Sequence, residues 1–96
     1  MEFSQVKQSL QSIFGDIQDQ VQQGQLPSEE TVSSFLRLAT RMHSLAEEEW
    51  ADECEDFHHL VKELLRVVKK GSIEEAVLLV EALDDAQAYC HQSFRF

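Results

Sequence analysis

Turn-forming residues are scarce in this chain, with one Pro and three Gly among 96 residues. A sandwich or barrel of strands needs a turn signal about every 8 to 12 residues, so the scarcity argues against an all-β fold. Bases are scarce too. Eight Lys and Arg stand against 18 Asp and Glu, a formal net charge of −10, which repels phosphate backbones and anionic lipid. Nucleic acid and membrane surfaces are therefore not expected as partners; a protein partner, preferably basic, is. Two cysteines are too few for an all-Cys metal site, and in an intracellular chain they favour reduced thiols over a structural disulfide. No apolar run approaches the roughly 18 residues that cross a bilayer. The opening Met-Glu-Phe-Ser-Gln lacks the charged and apolar regions of a signal peptide, so a cytoplasmic location is expected. Catalytic signatures are missing as well: there is no nucleophile elbow, phosphate loop or HExxH, and Ser, His and Asp show no triad spacing. The expected protein is not an enzyme.

What the chain does have is apolar residues, 43% of the total, enough for the core of one domain spanning 1–96. From Phe3 they fall at Val6, Leu10, Ile13, Ile17 and Val21, steps of three and four that draw one stripe along a helix. The stripe stops at Gln22-Gln23-Gly24-Gln25, and Ser28 follows as an N-cap with Glu29 and Glu30 in the first turn. A second stripe runs through Val32, Phe35, Leu36, Ala39, Met42, His43 and Ala46 into the acids Glu47 to Glu49. Asp52 and Glu55 have capping-box spacing, and a third stripe follows through Phe57, Leu60, Val61, Leu64 and Val68. Gly71 is the natural residue just past that helix, and Ser72 with Glu75 can cap a fourth. Its stripe is Ile73, Ala76, Leu79, Val80, Leu83, Ala86, Cys90 and Phe94.

The spacing thus predicts an all-α, antiparallel up-down-up-down four-helix bundle with helices over about 3–23, 28–48, 52–70 and 72–94. No Gly or Pro separates the second and third segments. A single helix from Ser28 to Lys70 is the rival, and it would favour a homodimer whose second copy supplies the missing packing.

Counting outward from each turn estimates which residues share a height. His43 comes level with His58, and Cys54 comes near Cys90, so that His43, Cys54, His58, Cys90 and His91 gather at one end. Imidazole and thiolate are preferred ligands of zinc, copper and haem iron, and bundle interiors hold such groups between facing helices. Cys54 and His58, four apart on one face, suit two ligands of one ion; Glu55 and His58 have the Glu-x-x-His spacing of carboxylate-bridged iron bundles, in a single copy. The metal candidates are therefore His43, Cys54, His58, Cys90 and His91, and an oxidant could link Cys54 to Cys90. Set beside this is the plainer reading, in which the histidines are half-buried packing residues, the cysteines are small hydrophobes and no cofactor is bound. Trp50, beside the acidic turn, is a candidate partner anchor.

The segment Gly71 to Arg95, GSIEEAVLLVEALDDAQAYCHQSFR, resembles the last helix of the soluble four-helix-bundle b-type cytochromes. The likeness rests on Gly71, Glu75-Ala76, Glu81, Leu83, His91-Gln92, Arg95 and the aromatic Phe94. It implies a haem whose axial ligand is His91. That family's second ligand is a Met early in helix 1, where this chain has Phe3, Val6 and Lys7, so the sixth position would fall to His43 or His58 or stay open. A second likeness is to histidine phosphotransfer domains, in which an exposed His precedes a Lys by three residues. His59-Leu60-Val61-Lys62 has that spacing, with Glu63 where the family has Gly. The leading expectation is a module that binds haem or a transition metal through His43, His58 and His91, for sensing or electron transfer. The alternative is a cofactor-free interaction or phosphotransfer module of a signalling system, with His59 the phosphorylated residue.

Overall fold

The structure is a computed structural model that describes residues 3–46 and 48–94, apart from the side chains of Phe3, Ser4, Trp50 and residues 90–94. The chain forms α1 (Phe3–Gln22), α2 (Glu29–Ser44), a single 3-10 turn (Glu48–Trp50), α3 (Ala51–Lys70) and α4 (Ile73–Phe94), with no strand among the described residues. Each helix packs against its neighbours in the chain, and α4 closes the ring on α1, which is the up-down-up-down arrangement of the stripes. The longest extent, 35 Å, is little more than one 20-residue helix of about 30 Å.

Backbone chemistry explains the helix ends. At Gly71, φ is +86°; its N–H donates to Val68 O at 3.1 Å while Ser72 N–H donates to Val67 O at 3.3 Å. This is the Schellman pattern, and a side chain at that φ would be strained. Gly24 repeats it at φ +77°, with Gly24 N–H on Val21 O and Gln25 N–H on Gln20 O. Ser28 caps α2, its Oγ accepting from Thr31 N–H at 3.0 Å. Ser72 Oγ accepts from Glu75 N–H at 3.4 Å in the same role for α4.

Two boundaries differ from the sequence expectation. α2 ends at Ser44 rather than near 48, with Leu45 as its C-cap. The acids beyond it are unfavourable at the negative end of a helix dipole but favourable at the start of the next helix, where Asp52 and Glu53 lie in the first turn of α3. Asp52 is therefore inside the helix and not its cap, since α3 already begins at Ala51. The end of α2 at Ser44 and the separate start of α3 at Ala51 also rule out the single helix from Ser28 to Lys70.

The core is apolar throughout: Val6, Leu10, Phe14, Ile17 and Val21 of α1 meet Val32, Phe35, Ala39 and Met42 of α2, and Phe57, Val61, Leu64, Val67 and Val68 of α3. Its centre is a run of three rings. Phe35 stacks on Phe14 at 5.7 Å between centroids and meets Phe57 edge to face at 5.8 Å, so one α2 side chain ties three helices together. α4 adds Ala76, Val80 and Leu83. Of the expected stripes, Ile13, Leu36, Leu60 and Leu79 are only partly buried, while Phe14 and Val67 take fully inward positions.

Candidate functional site

The site is built where α2 ends and α3 begins. His43 occupies the last turn of α2, and His58 lies two turns into α3. Because the chain reverses between them, their half-buried rings come side by side, with centroids 5.9 Å apart and planes 27° from parallel. Two imidazole nitrogens each about 2.1 Å from one ion would set ring centres roughly 5 to 6 Å apart, and the observed separation falls in that range.

His58 is oriented by a third residue. Its Nε2 lies 2.8 Å from Thr40 Oγ1, and the Thr40 hydroxyl donates to Leu36 O one turn back at 2.9 Å. A hydroxyl has one proton. With it on His58, Nε2 accepts; with it on Leu36 O, Thr40 accepts from His58 Nε2–H and the neutral ring keeps its lone pair on Nδ1. A ligating histidine is commonly held this way, with its second nitrogen donating to an oxygen.

The surroundings disfavour the charged form of that ring. Burial pushes the His58 imidazole below its ordinary value of 6.5; the Lys62 ammonium and the neighbouring His43 add to the effect, and the Glu55 carboxylate opposes it. Thr40 also borders a shallow hollow on α2 that Arg37 and Arg41 help to line.

The other expected ligands fare differently. Cys54 is 1% exposed and belongs to the core cluster, which is the small-hydrophobe role. Among the described residues no three His, Cys, Asp or Glu gather closely enough to hold a metal ion, so the structure brings together His43 and His58 without adding Cys54 or Glu55. The side chains of Cys90 and His91, in the last turns of α4, and of Trp50 lie outside the described residues. His59 is exposed on α3, as is Lys62. Thr40 is the site residue that sequence reasoning missed. A hydroxyl one turn before His43 was the available signal, but only the α2–α3 approach reveals its partner.

Set against known protein families, curated proteins and solved structures, the chain matches none of them. The arrangement of side chains is therefore the whole basis for a functional reading. No helix among the described residues is long and apolar enough to cross a membrane.

Proposed function

We propose that this chain is a non-enzymatic, cytoplasmic four-helix-bundle module that binds haem or a transition-metal ion at its His/Cys end and serves in sensing or electron transfer. One observation carries the reading: His43 and His58 lie side by side at 5.9 Å, on different helices, in surroundings that disfavour the charged form of His58. Two neutral imidazoles are a good ligand pair for zinc, copper or haem iron. Lys62, whose charge acts on His58, favours an anionic cofactor over a bare cation, because it repels a divalent ion and attracts the propionates of haem. His91, the residue the cytochrome likeness singles out, is a further candidate ligand.

The test is a titration of the purified protein with hemin and, separately, with zinc, nickel and copper ions. A shifted Soret band or one tightly held metal per chain is expected. His58→Ala and His43→Ala should weaken binding at least about tenfold, and Thr40→Val about tenfold by releasing the ring from its orienting partner. His91→Ala should also weaken haem binding, and His59→Ala should leave it unchanged. No Soret change and no retained metal at one equivalent would end this reading.

The exposed His59 with Lys62 three residues on supports a second reading, phosphotransfer. Glu63, the residue ill suited to it, is drawn away by Arg66 at 2.9 Å. Acid-labile phosphate on His59 after incubation with acetyl phosphate, in a protein that ignores hemin and metals, would favour this alternative.

A further inference from the structure

On the far side of the molecule from α2, helix α4 departs from the pattern of the other helices. Its sequence carries five acids, Glu74, Glu75, Glu81, Asp84 and Asp85, and no Lys or Arg. It also carries the two most exposed large apolar side chains described, Leu78 at 66% and Tyr89 at 55%. Eleven residues at about 100° each bring Tyr89 back over Leu78 after three turns, roughly 16 Å along the axis. Ala82 and the exposed Asp85 lie between them on the same face, and Glu74 and Glu81, both exposed, flank the strip.

Beside the strip, α1 and α4 approach each other least of the neighbouring helices and leave an open groove of about 370 Å³. Val21, Val77 and Val80 line it together with Gln18, Glu81 and Asp84. Glu81 thus belongs to both the groove and the strip.

We propose that this outer face of α4 is a docking strip for a basic amphipathic helix of another protein. Charge chooses the occupant. A second copy laid α4 against α4 would set five carboxylates against five with no base on either helix, a like-charge contact. A helix with apolar residues at i, i+4 and i+11, and Lys or Arg between and beside them, would cover Leu78, Ala82 and Tyr89 and pair with Glu74, Glu81 and Asp85. An acidic surface also speeds the encounter with such a partner. This surface is separate from the imidazole pair, and neither proposal depends on the other.

A fluorescein-labelled helical peptide of about 18 residues, with Leu at that spacing and Lys elsewhere, is the probe. Anisotropy measured at low salt should show it binding at least about tenfold more tightly than a scrambled peptide of the same composition. Leu78→Gln and Tyr89→Gln each leave the charge unchanged and sit at exposed positions, and circular dichroism should show both folded. Each is expected to lose about tenfold in affinity. Equal binding of ordered and scrambled peptides, or unchanged affinity in both variants, would reduce the attraction to unspecific charge and overturn the proposal. So would concentration-dependent self-association in sedimentation that Leu78→Gln abolishes, because the occupant would then be a second copy.

Discussion

The two seams at opposite sides of the bundle are built differently. Where α2 meets α3 the helices pack most closely and are joined through the break at residues 45–50; where α1 meets α4 they pack most loosely and leave a groove. The close seam holds the interhelical polar contact between Thr40 and His58 and the stacked imidazoles. The open seam offers valines and carboxylates to the surroundings. Close approach fixes the geometry that the proposed coordination would demand, whereas an open seam beside exposed apolar side chains would suit the proposed recognition of a whole helix. One small domain can therefore keep two chemistries apart.

The largest effect should come from the residue that spans the close side. Phe35→Ala removes both ring contacts at once and should cost about 3 to 5 kcal/mol in urea unfolding, enough to unfold a marginal domain of this size. A sharper comparison uses one substitution on each side. Val32→Ala, at a fully buried α2 position, should cost about 2 kcal/mol, while Val80→Ala, on the wall of the α1–α4 groove, should cost about 1 kcal/mol because water can enter the space left. If Val80 proves as costly as Val32, the seams do not differ in the way described.

The smallest effect is a pH slope. His58 in the folded chain sits below its ordinary value of 6.5, so the unfolded chain takes up the proton first as pH falls. Stability contributed at this site is complete above 6.5 and is lost as pH drops from there through the folded value. Melting temperatures between about pH 8 and about pH 5 should therefore fall less steeply for His58→Gln than for the parent chain. Parallel curves would show that the ring is not held neutral.

Much of the fold was legible because local chemistry and global packing agree. Gly24 and Gly71 end helices where their positive φ allows the reversal, and Ser28 and Ser72 begin the next ones through their side-chain oxygens. The end of α2 was less legible. No turn residue marks it, and the cue was the sign of charge at Glu48 and Glu49 relative to a helix dipole. Phe14 escaped the stripe because Ile13 fits the same three-and-four stepping, and only the ring of Phe35 decides between them. Counting outward from a turn was enough to bring His43 opposite His58, since both are close to the reversal. Thr40 could not be read, because a hydroxyl's partner depends on ångström-scale approach of a neighbouring helix. Cys54 has the right spacing from His58 to share an ion, and its burial in the core could not be read from that spacing.

The run Phe14–Phe35–Phe57 has a mechanical consequence. It fastens α1, α2 and α3 with large interlocked rings, while the described side chains that α4 buries are the smaller Ala76, Val80 and Leu83. Local opening is cheapest where the fewest large groups must separate. The fourth helix should therefore be the first to breathe, and its amide hydrogens should trade with deuterium ahead of those in the other three. A partner that clasps this helix would slow the trade, so the exchange of its amides would report on whether that partner is present.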